Sequence, residues 1–280
     1  MILAAALIPF LRVPSASSAP PAKPKVRAVT AFIRLDRANY KTQIQDALKF
    51  LHVAKAAFEK AGYDYTGEGK QFAIALESAN VVAEALASAK SPGAAEEKLT
   101  STLGAYAISI EKTAMEISQA NGWTYGGIDL SPAPLKDISI GRAIENFFGA
   151  PVGSSGTLSA AALITRSLKA IPVKHAGYSG LMLPIMEDTV LARSWSEGHL
   201  AIDSLLAYSA VCGTGLDTIP LPGDITEDQL ARILGDVASL SVKWHKPLSA
   251  RLQPVTGKHP GDMTEFDDPY LVNARIQPLP

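Results

Sequence analysis

Cys212-Gly213-Thr214-Gly215-Leu216-Asp217-Thr218-Ile219-Pro220-Leu221-Pro222-Gly223-Asp224 stands between one helical pattern over residues 201–211 and another over 225–242. Glycine and proline at this density cannot continue a helix or a central strand, so the stretch reads as a loop. An echo downstream, Gly257-Lys258-His259-Pro260-Gly261-Asp262-Met263-Thr264-Glu265-Phe266, reads the same way. Both carry acidic side chains in a chain poor in charge, and carboxylates on glycine-shaped loops suggest a site.

Outward from this stretch, strand and helix patterns alternate. Residues 26–35 place Val29, Ala31, Ile33 and Leu35 on one strand face, and Ile44, Ala47, Leu48, Leu51, Ala54 and Phe58 then recur at helical spacing up to Ala61-Gly62. Helices are expected over 75–89 and 94–120, broken by Ser91-Pro92-Gly93, and a strand over 123–130 that leaves Asp129 where strand gives way to loop. Helices over 139–148 and 156–170 follow, the second capped by Ser155 or Thr157. Residues 178–184 read as an apolar strand or loop. Glu187-Asp188 then opens a helix, where acidic groups suit the positive end of the helix dipole. Residues 248–255 and 271–276 close with strands. The pattern predicts one α/β domain over 26–280 with a mixed or parallel sheet, either open or curled into a barrel.

Composition narrows the function classes. The 280 residues are 47% hydrophobic and 19% charged, with 26 basic against 27 acidic residues and a net charge of −1. No global field recruits polyanions and no basic run is interleaved with aromatics, so nucleic acid is not expected as a partner. The single cysteine, Cys212, excludes an internal disulfide. The histidines His52, His175, His199, His245 and His259 share no short ligand spacing, which argues against zinc.

The apolar run over 2–11, followed by Arg12 and Ser15-Ala16-Ser17-Ser18-Ala19, resembles a weak signal peptide and is too short to span a bilayer. It lacks a basic leading region, and the chain has neither an N-x-S/T acceptor nor a disulfide framework. The favoured reading is a leader and linker over 1–25 and a cytoplasmic location, with secretion as the alternative.

Familiar motifs fail on inspection. Gly213-Thr214-Gly215-Leu216-Asp217-Thr218 opens like a dinucleotide fingerprint, but Thr218 replaces the last glycine and the prolines that follow cannot open the required helix. Gly69-Lys70-Gln71 and Gly257-Lys258-His259 lack the hydroxyl residue of a P-loop. Gly177-Tyr178-Ser179-Gly180-Leu181 is not a nucleophile elbow.

Residues 26–35 with their helix, Tyr125-Gly126-Gly127-Ile128-Asp129-Leu130-Ser131, Gly177 to Pro184, Glu187-Asp188, the cysteine stretch and Gly257 to Phe266 resemble an uncharacterised family called domain of unknown function seven hundred and eleven, with its bacterial UPF-type relatives. The resemblance implies a glycyl-radical-enzyme-like α/β barrel whose interior accepts a hairpin loop, here the loop at Cys212. It implies no radical chemistry, because no arginine-valine-x-glycine-aromatic signature stands near the C-terminus. It also implies a missing internal block: the chain passes from Tyr63-Asp64 directly to Tyr65-Thr66, where relatives carry further strands and helices that would complete the sheet. An incomplete sheet exposes an edge and favours homo-oligomers.

Asp129, Asp217, Asp224, Asp262 and Glu265 all fall at strand ends or on glycine-rich loops. Gathered in one pocket, they need protons, Lys258 or a divalent cation to offset their charge. Oxygen-only ligands favour Mg²⁺ or Ca²⁺. Two readings follow. In one, the chain is an enzyme acting on a small anionic metabolite, with these five as metal ligands, Cys212, Asp217 and Lys258 as candidate catalytic groups, and Lys258 or His259 contacting the anion. In the other it is a non-catalytic binding module or shortened variant, and the same carboxylates form turns and helix caps.

Overall fold

The computed structural model describes residues 71–279, together with the backbone of three strand segments, β1 (Lys25–Val26), β2 (Phe32–Arg34) and β3 (Asp64–Tyr65). The leader, the helix expected over 44–58 and most of the strand expected over 26–35 lie outside the described residues. Among those described, the elements are β4 (Gln71–Glu77), α1 (Ala79–Ala87), α2 (Pro92–Asn121), β5 (Thr124–Asp129), α3 (Ile140–Phe148), α4 (Thr157–Lys169), a 3-10 turn (Ile185–Glu187), α5 (Thr189–Ser196), α6 (Ile202–Ser209), β6 (Gly215–Pro222), α7 (Glu227–Trp244) and β7 (Ser249–Val255). The fold is α/β. Its sheets run in the orders β1-β3, β2-β4-β5 and β6-β7, and none closes on itself, so the implied barrel is not formed among the described residues.

The chain divides into two compact units. The first comprises Met1–Leu76, Ile108–Asp129 and Val173–Gly177. In it β4 pairs in parallel with β5, matching Ile74 with Ile128, and the rings of Phe72 and Tyr125 lie 5.6 Å apart. Ala75 and Leu76, at the end of the run Phe72-Ala73-Ile74-Ala75-Leu76, were expected to open a helix. The run forms a strand instead, because a short continuous apolar run has no periodicity to separate the two. Segment Val173–Gly177 runs beside β5: Ile128 donates its N–H to the Lys174 carbonyl at 2.8 Å, and Ala176 donates to the Ile128 carbonyl at 3.0 Å. Gly127, at φ +128, permits this approach, since a Cβ there would stand 2.7 Å from the Lys174 carbonyl oxygen.

The second unit comprises Glu77–Ala107, Leu130–Pro172 and Tyr178–Pro280. Its core includes Leu99, Leu103, Ile140, Ile144, Ile164, Leu191, Trp195, Leu216, Ile219 and Leu221, each at most 1% exposed. Ser139 caps α3 by accepting the Arg142 N–H at 2.9 Å. The expected side-chain cap of α4 is absent: Gly156 holds that position, and Thr157 Oγ1 accepts the N–H of Gly153 instead. Residues 271–276 form no strand but a single bridge, Met263 with Arg275.

The main correction concerns the stretch over 212–224. Gly215–Pro222 is a fully buried strand, paired in parallel with β7 and joined to it through α7 as a β-α-β unit. The prolines do not forbid this. Pro220 and Pro222 stand two residues apart, so both ring nitrogens fall on one edge of the strand, while Ile219 and Leu221 keep N–H groups for the other. Gly215, at φ +110, lies against the Ser249 backbone where β7 begins. Among the described residues no helix is long and apolar enough to cross a membrane.

Candidate functional site

The site is built on an irregularity in β6. Leu216 pairs with Ala250 and Ile219 with Leu252, so Asp217 and Thr218 together oppose the single residue Arg251. Such a bulge bends a strand and re-aims its side chains, and Thr218 accordingly sits at φ +48, a region costly for a β-branched residue. Thr218 Oγ1 accepts the Met186 N–H at 3.2 Å, which fastens the bulge to the turn that carries Glu187.

Arg251 lies between two carboxylates. Its Nε donates to Asp217 Oδ1, and its Nη1 meets Glu187 Oε1 at 2.9 Å. The Asp217 side chain is 2% exposed, that of Glu187 23% and that of Arg251 48%, so the clamp is buried at Asp217 while the Arg251 side chain stays half-exposed. Asp217 Oδ2 is buried with no hydrogen-bond partner.

Burial raises the proton affinity of Asp217, against the pull of Arg251 and the Thr218 N–H. Burial likewise raises Glu187; Arg251 opposes the rise, while the neighbouring charges of Asp217 and Glu77 add to it. Burial pulls Arg251 down, but Asp217 and Glu187 outweigh it and hold the guanidinium above its ordinary range. The arrangement is two carboxylates of raised proton affinity around one shared cation.

The other expected site residues fall elsewhere. At the end of β6, Gly223 donates its N–H to the Lys258 carbonyl at 2.9 Å, so the two acidic stretches do meet. There the carboxylates are exposed and engaged: Glu265 by Lys258 Nζ at 2.9 Å, Asp224 by His259 Nδ1 at 3.4 Å, and Asp262 by the His259 N–H at 2.8 Å. Asp129 belongs to the first unit, where its carboxylate packs on Gly177 Cα. Among the described residues no three His, Cys, Asp or Glu side chains gather where they could hold a metal ion.

Cys212 is buried behind α6 and donates its N–H to the Tyr208 carbonyl at 2.8 Å. Lys246 Nζ donates to the carbonyls of Ser209, at 2.9 Å, and Cys212, closing the end of that helix. Burial lowers the Lys246 pKa, the Cys212 thiol opposes that shift and Lys169 adds to it. Asp188, buried beside Glu187, accepts from Ser139 Oγ and from the N–H groups of Gly141, Val190 and Leu191, so its role is the helix cap expected of it. Sequence reasoning missed Arg251, whose signal was a lone cation in an otherwise uncharged strand pattern.

A family model described as "Uncharacterised ACR (DUF711)" matches residues 55–267. The chain belongs to this family. Within DUF711, it is 40% identical over 166 residues to a UPF0210 protein of Pyrobaculum aerophilum, which covers 57% of this chain and 37% of the relative. It is 34% identical over 181 residues to one from Desulforudis audaxviator, covering 59% and 40%. For one from Bifidobacterium animalis subsp. lactis the figures are 33% over 203 residues, covering 69% and 44%. The matched part of the chain thus spans less than half the length of these curated DUF711 relatives. The matched range contains Glu187, Asp217 and Arg251, so the clamp lies in the family's part of the chain.

Proposed function

We propose that this chain carries the proton-transfer part of an enzyme site for a small anionic metabolite. Asp217 and Glu187 exchange the proton, and the half-exposed Arg251 holds the substrate's carboxylate or phosphate. The supporting observation is the clamp itself: two carboxylates of raised proton affinity, one with an unpartnered buried oxygen, sharing the guanidinium of a half-exposed Arg251 side chain at a strained bulge. Arginine supplies five donors, and the two carboxylates leave several for a substrate anion. A divalent ion enters this reading only through ligands beyond the described residues. The glycyl-radical-like barrel enters this reading in the same way, through chain beyond the described residues.

A second reading is favoured by the length comparison: a chain covering 37% to 44% of its relatives can be a shortened variant that binds without turnover. The two separate on one experiment. Side-chain carboxyl NMR titration of the wild type, Asp217→Asn and Glu187→Gln assigns the two groups, and a panel of small carboxylates and phosphate esters is assayed for turnover. The catalytic reading expects both carboxyls to titrate above the ordinary range of about 3.9–4.3 and turnover to vanish in Asp217→Asn with binding retained. Ordinary titration, or turnover untouched by Asp217→Asn, overturns it. Binding without turnover supports the shortened-variant reading.

A further inference from the structure

A cavity of about 340 Å³ opens in the second unit, between the ends of α5 and α6, the outer half of β6, α7 and the C-terminal segment, and no residue of the Arg251 clamp lines it. Its floor is apolar and buried: Trp195 is 1% exposed, Leu221 0% and Ile233 9%. Its rim is charged and exposed, with Asp203 from the first turn of α6 and Arg232 and Asp236 from α7. The wall is held in place, since Gln277 Nε2 donates to the carbonyls of Trp195 at 2.6 Å and Leu200 at 2.7 Å.

Arg232 and Asp236 stand four residues apart on one helix, a spacing that brings Cβ atoms to about 5–6 Å and normally joins such residues as an ion pair. Among the described residues, however, neither has a charged partner, and neither does Asp203. The rim therefore presents unpaired charges of both signs, side by side, over an apolar floor. With two acids to one base, it favours a ligand that brings an ammonium over one that brings only a carboxylate.

We propose that this cavity binds a small zwitterion with an apolar body, of which an α-amino acid with an aliphatic side chain is the simplest. The ammonium meets Asp236 and Asp203, the carboxylate meets Arg232, and the side chain covers Trp195, Leu221 and Ile233. An ammonium and a carboxylate on one carbon match opposite charges one helical turn apart, which an amine or an acid alone does not. The volume lies at the small end of the range of about 300–1,000 Å³ for ligand pockets, which suits a metabolite of amino-acid size. This site is independent of the acid–base reading, because it uses none of the same residues.

Isothermal titration of the full chain with four probes tests it: L-leucine, 4-methylpentanoate without the amine, 3-methylbutylamine without the carboxylate, and glycine without the body. Leucine is expected to bind saturably, each truncated probe at least tenfold more weakly, and Arg232→Glu to weaken leucine at least tenfold. Asp236→Asn, which keeps shape and helix, is expected to weaken leucine and 3-methylbutylamine while leaving 4-methylpentanoate unchanged. It serves as the second variant should Arg232→Glu fail to fold. Absence of saturable leucine binding, equal binding of leucine and 4-methylpentanoate, or Asp236→Asn indistinguishable from wild type overturns the proposal.

Discussion

Asp188 Oδ1 accepts the Ser139 hydroxyl at 2.6 Å, and through this bond a single carboxylate serves the first turns of two helices. The same oxygen takes the N–H groups of Val190 and Leu191 in α5, and Oδ2 takes that of Gly141 in α3 at 3.1 Å. Burial raises the proton affinity of Asp188, while these four bonds oppose the rise. A cap is worth about 0.5–2 kcal/mol, so Asp188→Ala is expected to cost roughly 2–3 kcal/mol in urea unfolding for the two helices together. Ser139→Ala should cost about 1 kcal/mol. An Asp188→Ala loss no larger than that of Ser139→Ala would show that the two caps are not shared.

The clamp predicts a pH dependence of definite sign. Asp217 and Glu187 hold protons more tightly in the folded chain than in the unfolded one, because burial disfavours their charge. Their contribution is therefore fully present below the unfolded carboxyl range of about 3.9–4.3 and is lost as pH rises through the raised folded values. Asp217→Asn does not titrate, so its urea midpoint should fall less steeply from about pH 4 upward than that of the wild type. Asp188, also raised by burial, leaves a residual slope of the same sign. Parallel wild-type and Asp217→Asn curves would contradict this account.

Removing Arg251 leaves Asp217 buried without its counter-charge. Breaking a fully buried pair costs about 3–5 kcal/mol, but the Arg251 side chain is 48% exposed, so Arg251→Met is expected to cost about 2 kcal/mol near neutral pH and less in acid. Arg251→Lys should recover only part of this, because a single ammonium cannot reproduce the two-pronged contact with Asp217 and Glu187. Chemical denaturation at two pH values reads both effects, and a cost for Arg251→Met that does not shrink in acid would rule the charge argument out.

What could be read in advance was whatever short-range chemistry decides. The strand Thr124–Asp129 showed in its stop at Ser131-Pro132, α3 in the helical pattern over residues 139–148, and α5 in the acidic pair Glu187-Asp188. β4 and β6 were not legible, for opposite reasons. Phe72 to Leu76 is too uniformly apolar to show a period, and Gly215–Pro222 carries residues whose loop preference is overridden by complete burial and parallel pairing. Asp217 was legible as a candidate because an acid in such surroundings stands out. Its partner was not, since Arg251 lies 34 residues away and meets it only through the register of β7 and the bulge at Thr218.

Close backbone approach behind Cys212 makes Gly213 irreplaceable on geometric grounds. A Cβ at Gly213 would stand 2.8 Å from the Gly180 carbonyl carbon, and one at Gly180 would stand 2.7 Å from Gly213 Cα, so neither contact can be relieved by turning a flexible side chain. Gly213 also donates its N–H to the Leu181 carbonyl at 2.8 Å, a bond that holds the two segments together. Gly213→Ala is expected to destabilise by about 1–3 kcal/mol in thermal or urea unfolding, the usual cost of overpacking. An unchanged midpoint would mean that the segments part without penalty.

The exposed carboxylates at the end of β6 should behave unlike Asp217. Asp224 and its partner His259 have side chains 66% and 64% exposed, and Glu265 is 77% exposed opposite Lys258. Surface pairs of this kind contribute about 0–1 kcal/mol and are screened by salt. Asp224→Asn and Glu265→Gln are therefore each expected to shift stability by less than about 0.5 kcal/mol, and less again in high salt. The same two variants probe a cation role for the loops. Any shift of the unfolding midpoint on adding Mg²⁺ or Ca²⁺ should be the same in the wild type and both variants, because the described carboxylates gather no ligand set. A metal-dependent stabilisation that Asp224→Asn or Glu265→Gln removes would show that these loops recruit further ligands from beyond residues 71–279.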